Sequence, residues 1–283
     1  MVPKVAIVEF EEDAQATLER ALTLVGRIDD LNSKKRPVTI KVGVYDPTAE
    51  NHTTVNVLRA IISCFNKAPS IFVAESDNYK GEAMARLQIW KELFTGRVVP
   101  FSLSADADTR EVDVAGEKMK LSHIIFKPNV FVSTHVLRGF ERGAIMKNLF
   151  GLVPEPRKAK FHKVLDTLLP DIYEAIGGID LAVIDGTYLY SGAGAMPHVG
   201  AESTKYRVKM NTLVVGRDAI AVEAVGADLA GLKPERMPVL QEAMKRGLGQ
   251  ANLEKIEIVG SKYEDVKEKF SLAVKTLKAK KRS

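Results

Sequence analysis

The feature that most constrains this chain is a regular alternation of short β-branched apolar runs with amphipathic helical stretches. Val5–Phe10 is followed by a helical pattern bearing Ala14, Leu18, Ala21, Leu22 and Val25. Glu11, Glu12 and Asp13 open that pattern, where negative charge complements a helix dipole. Val38–Tyr45 alternates with period two and reads as a strand ended by Asp46-Pro47. Thr53–Phe65 then places Val57, Leu58, Ile61, Ile62 and Phe65 on one helical face. Ile71–Ala74, Val98–Leu103, Asn129–Val136, Leu181–Ile184, Lys209–Val215 and Ile256–Val259 read as further strands. Ala83–Phe94, Val164–Ile176, Ala219–Ala230 and Pro238–Lys245 read as helices, Asp218 as the cap of the third, and a last helix ends the chain. Pro170 predicts a kink or split in its helix. Residues 109–121 instead have the pattern of an antiparallel hairpin.

Strands and helices in this order predict an α/β fold. It has a mostly parallel or mixed sheet flanked by helices, an accessory β-hairpin, and a ligand cleft at the carboxyl ends of the strands. Residues 1–260 read as one such domain, with 127 as the point where two lobes would meet, and 261–283 as a basic helix or tail. A hydrophobic content of 46% supplies a core and excludes a disordered chain. One cysteine, Cys64, excludes a disulfide framework or an iron–sulfur cluster held by this chain alone. No stretch approaches the roughly 18 apolar residues of a membrane span, and the N-terminus lacks an uninterrupted apolar signal segment, so a cytoplasmic protein without a membrane partner is expected.

The formal net charge is +5, and its location matters more than its size. Residues 138–163 carry Arg138, Arg142, Lys147, Arg157, Lys158, Lys160 and Lys163 against Glu141 and Glu155, an excess equal to the whole net charge. Lys275, Lys278, Lys280, Lys281 and Arg282 form a second basic piece with no acid among them. The rest of the chain is net acidic. That distribution, 7% aromatic residues and the lack of a recognised motif disfavour nucleic acid as a partner. The inner cluster is interleaved with Phe150, Leu152 and Phe161, which implies partial burial, where an unpaired cation is costly.

Polar residues at strand ends are the other candidates: Asp46, His52 and Thr53; Glu75, Ser76 and Asp77; Thr134 and His135; Asp185. Asp185 stands out because Gly186, rather than a helix, follows it. Gly192 and Gly194 lie in a loop whose backbone amides could approach a ligand closely, although the loop lacks both the P-loop Lys-Ser/Thr and dinucleotide glycine spacing. No two of the five histidines have a metal-ligand spacing.

Phe126-Lys127-Pro128-Asn129, Thr134-His135, Lys147-Asn148-Leu149-Phe150-Gly151, Lys160 and His162 resemble the central signature of the domain-of-unknown-function 362 family. Leu181–Gly186, Gly192-Ala193-Gly194-Ala195, Gly216–Val222 and Gly247-Leu248-Gly249 resemble its later half, in order. Members often carry ferredoxin-like iron–sulfur inserts or fusions, whereas this chain resembles a member without one. The family's Pro-Lys-Leu-Lys-Thr-His element lacks its second Lys here, and Ser191 stands where an acid usually precedes the glycine loop.

These observations lead us to expect an enzyme for a small anionic substrate, a carboxylate or phosphate ester. Lys147, Arg157, Lys158 and Lys160 would neutralise the anion, Asn148 would orient it, and Gly192 and Gly194 would offer backbone amides. His162 or His135 would carry acid–base chemistry, since imidazole titrates near neutral pH. Asp185 would orient that histidine, or hold a divalent metal together with His198. The competing expectation is a non-catalytic ligand-binding or electron-transfer subunit that docks an acidic cofactor or protein partner; a homo-oligomer is a further candidate assembly.

Overall fold

A computed structural model describes residues 2–10, 13–190 and 206–280. Its ten strands are β1 (Lys4–Glu9), β2 (Val38–Val42), β3 (Ile71–Glu75), β4 (Val98–Ser102), β5 (Thr109–Val114), β6 (Glu117–Ser122), β7 (Val130–Arg138), β8 (Leu181–Tyr190), β9 (Arg207–Gly216) and β10 (Glu257–Gly260). The helices are α1 (Ala14–Leu24), α2 (Val55–Cys64), α3 (Ala83–Leu87), α4 (Ile145–Asn148), α5 (Leu165–Ala175), α6 (Ala219–Leu229), α7 (Pro238–Lys245) and α8 (Tyr263–Lys280). Eight strands form one mixed sheet in the order β10-β1-β9-β8-β7-β2-β3-β4, in which β9 alone among them runs against the others. The expected hairpin is β5–β6, turning at Ala115-Gly116, both of which have positive φ. The fold is therefore α/β, as expected. No described helix is long and apolar enough to cross a membrane.

Strand alternation assigns each residue a face. Val38, Ile40 and Val42 of β2, Val130 and Val132 of β7, and Leu181 and Val183 of β8 pack under α1 and α2. Phe131 and Leu137 of β7, and Ala182 and Ile184 of β8, face the second core, built with α4, α5, α6, α7 and α8. The helices start where short polar side chains meet free backbone amides. Asp13 accepts from the Gln15 and Ala16 amides, and Asp218 from those of Ile220 and Ala221.

Two expectations need correction. Pro170 does not split its helix: α5 continues through it, with the proline buried. The predicted helix 83–94 divides into α3 and a 3-10 segment, with non-helical backbone at Trp90, whose indole N–H donates to the Thr53 carbonyl at 3.0 Å. Connectivity then identifies a special place in the sheet. The chain moves outward from β2 to β3 and β4, then returns to add β7 on the other side of β2. The β2–β7 boundary is thus a topological switch point, where loops diverge and open α/β sheets leave a crevice.

Candidate functional site

Around the carboxyl ends of β2 and β3 and the adjoining part of β7, the sequence gathers an unusual set of buried polar groups. Lys41 lies in phase with Thr39, away from the Ile40 and Val42 core, and its side chain is only 1% exposed. Its ammonium has three acceptors: Glu75 Oε1 at 2.8 Å, the Val42 carbonyl at 2.7 Å and Asn148 Oδ1 at 3.1 Å. Three N–H donors therefore meet three acceptors, which is what makes a buried ammonium tolerable. Glu75 also accepts from the Val44 amide at 3.1 Å and the Ser76 amide at 2.9 Å, tying down the turns that follow β2 and β3. Arg86 reinforces both turns by donating to the Val44 and Ser76 carbonyls.

The Lys147–Gly151 segment completes this arrangement residue by residue. Asn148 Nδ2 faces the Lys41 carbonyl at 3.0 Å, Ser133 Oγ at 3.1 Å and the Thr134 carbonyl at 3.1 Å. Its amide thus joins β2, β7 and α4. A side chain at Gly151 would overlap the Lys41 ammonium and come within 2.7 Å of Glu75 Oε1, so this position needs glycine for close approach rather than for backbone freedom. Gly143, at φ +86°, introduces α4, and Glu223 from α6 accepts from the Ala144 and Met146 amides, each at 2.8 Å. Those bonds satisfy donors that a helix start leaves free. Burial raises the Glu223 carboxyl above its usual range.

Lys147 is held differently. Its ammonium makes no hydrogen bond or ion pair with any described residue, and it lies 3.9 Å from the centroid of the Phe150 ring. Burial, then the positive charges of Arg138, Lys158, Arg142 and Lys41, push this amine well below the ordinary lysine range. Lys158 is buried and donates to Ser76 Oγ. Burial lowers it to about 8, against an opposing pull from Glu75.

His135 is buried, and its Nδ1 accepts from the Val136 amide at 2.7 Å. The ring proton of the neutral imidazole therefore sits on Nε2. That edge packs against Gly43, where any side chain would overlap it. Desolvation, then Arg138, Lys41 and Lys147, keep His135 neutral well below the usual histidine range.

The structure brings together Lys147, Asn148, Lys158 and His135 from the expected set. Exposed His162 stands at their rim, its ring 5.3 Å from that of Phe150 and its Nδ1 3.2 Å from the Ala159 carbonyl. Arg157 is exposed, and Lys160 is exposed and paired with Glu117 at 3.1 Å and Glu155 at 3.5 Å, so neither joins the cluster. Asp185 lies in phase with Val183, facing α2, whereas His135 lies in phase with Phe131 and faces the opposite core. The Asp185 carboxylate accepts from the Thr54 amide at 2.6 Å, the Thr187 amide at 2.9 Å and Thr187 Oγ1 at 2.6 Å. It orients neither histidine. β8 also continues past it to Tyr190, so Asp185 sits within a strand rather than at its end. Gly192, Gly194 and His198 lie outside the described residues. Among the described residues, no three His, Cys, Asp or Glu side chains gather as metal ligands.

Sequence reasoning did not single out Lys41 or assign Glu75 as its partner. Their signal was a lysine in phase with Thr39 on an alternating strand and an acid closing the next one. A search of curated proteins found no match for this chain. Residues 38–228, which include every element of the switch-point cluster, match the family model described as domain of unknown function (DUF362), and the chain belongs to that family.

Proposed function

We propose that the switch-point cluster binds a small anion, a carboxylate or phosphate, as the substrate of an enzyme. The observation that carries this reading is a Lys147 ammonium that has no hydrogen bond or ion pair among the described residues and lies among other cations. Lys41 has Glu75, Arg138 has the field of Glu223, and Arg142 lies 3.6 Å from Asp166. Lys147 and Lys158 have no ion pair of their own among the described residues. A part-buried amine in that position is costly to charge, and an incoming anion removes the cost. The anion would meet Lys147 and Lys158 directly. Asn148 would act through its grip on Lys41 and β7, as a positioning residue. His162 at the rim and the Nε2–H of His135 are the groups suited to moving or donating a proton.

Titration calorimetry with inorganic phosphate tests this. Wild-type protein is expected to bind with net proton uptake near neutral pH, because the anion returns Lys147 toward its charged form. Lys147→Ala should weaken binding by roughly 10-fold or more, the scale of one charge-assisted contact. Equal affinity in a folded Lys147→Ala protein would refute the site.

A further inference from the structure

Anion binding alone would be served best by a lysine that stays charged, and Lys147 is placed to do the opposite. It is half-buried, donates to no described residue, and lies against the Phe150 ring. Four cations from different elements face it: Lys41 on β2, Arg138 on β7, Arg142 in the turn before α4, and Lys158 in the segment after it. The nearby carboxylates are committed elsewhere, Glu75 to Lys41 and Glu223 to the start of α4. Asp166 faces Arg142. The other two buried amines are tethered, Lys41 by three acceptors and Lys158 by Ser76. A desolvated lysine beside other cations, with its lone pair unengaged, is the arrangement that activates an amine as a nucleophile.

We propose that Lys147 condenses with the carbonyl carbon of a small oxo acid, whose anionic group is drawn in by Lys158. This inference rests on the anion-site reading and narrows its substrate class to carbonyl-bearing anions. The Nζ lone pair attacks the carbonyl carbon, and the C–N bond forms as the C–O π pair moves to oxygen, which takes up a proton. The nitrogen loses a proton, and its lone pair then expels the protonated hydroxyl as water, leaving a C=N bond. One water is released and nothing is oxidised or reduced. His162, which shares the Phe150 ring with Lys147, is the titratable group available to carry these protons at the mouth of the site.

The test uses the full chain with pyruvate and sodium borohydride, which reduces an imine to a stable amine, followed by peptide mass mapping. A lysine of ordinary pKa is neutral to about one part in a thousand near neutral pH, so Lys147 labelling should exceed that of exposed lysines by roughly 100-fold. Inorganic phosphate should protect it. Lys147→Arg should abolish the adduct. If phosphate binds but pyruvate labels other lysines and spares Lys147, the nucleophile assignment is overturned and the anion site stands. If phosphate does not bind, both readings fall.

Discussion

Replacing Glu75 by Gln removes the charge that balances Lys41 while almost preserving shape. The two side chains are 1% and 7% exposed and 2.8 Å apart, so the ammonium left behind cannot recover water. A glutamine oxygen can still accept one hydrogen bond from Lys41. Its amide nitrogen, standing in the place of Oε2, cannot accept, so the Val44 amide loses its partner. Breaking one side of a buried pair costs about 3–5 kcal/mol, and a buried unpaired amide contributes about 1–3 kcal/mol within that figure. Lys41→Met alone should cost a similar amount, because the buried Glu75 carboxylate then loses its contact ion pair. The double variant removes both charges and should recover about 2–3 kcal/mol relative to the sum of the single changes. Urea unfolding followed by fluorescence of Trp90, the one tryptophan of the chain and fully buried, measures all four proteins. A Glu75→Gln cost below about 1 kcal/mol, or strict additivity in the double variant, would refute the ion pair as the centre of the site.

Lys158, at about 8 in the folded protein against 10.5 ordinarily, binds fewer protons folded than unfolded between those values. Stability should therefore rise as pH increases from about 8 to 10.5, and Lys158→Met should flatten that rise and add up to about 3 kcal/mol at neutral pH; unfolding midpoints across this window check it. His135 should remain a neutral Nε2–H tautomer at pH 6.5, where an ordinary histidine is half protonated; ¹⁵N NMR of the ring reads this directly, and a charged imidazolium there would contradict the Val136 contact. Gly151→Ala should destabilise the fold by about 1–3 kcal/mol through overpacking against Lys41 and Glu75 and weaken phosphate binding, whereas Arg157→Ala and Lys160→Ala should leave affinity unchanged by calorimetry.

The strand order of a mixed sheet is a tertiary fact, yet most of its strands were legible because β-branched runs between amphipathic segments admit few other readings. The functional segment was legible as a stretch, and its internal assignment was not. Residues 158–164 form a 3-10 helix, whose period of three turns Lys158 and Phe161 inward and leaves Arg157, Lys160 and Lys163 outward. A cluster of charges cannot reveal that phase. Lys41 was concealed for a related reason: in an alternating strand a lysine reads as solvent-facing, and only Glu75 and Asn148, arriving from distant sequence, make its burial tolerable. Asp185 attracted attention through the glycine that follows it. Its carboxylate instead fixes the start of α2 and a bulge in β8, and that glycine is required because the Thr212 carbonyl of β9 approaches it.

The central claim is that an anion belongs beside Lys147 and Lys158 at the β2–β7 switch point. A crystal structure determined with tungstate, an electron-dense analogue of phosphate, tests it most directly. One dominant peak is expected within hydrogen-bond distance of both amines. Tungstate confined to exposed cations such as Lys160 or the basic end of α8, with the switch point empty, would contradict it.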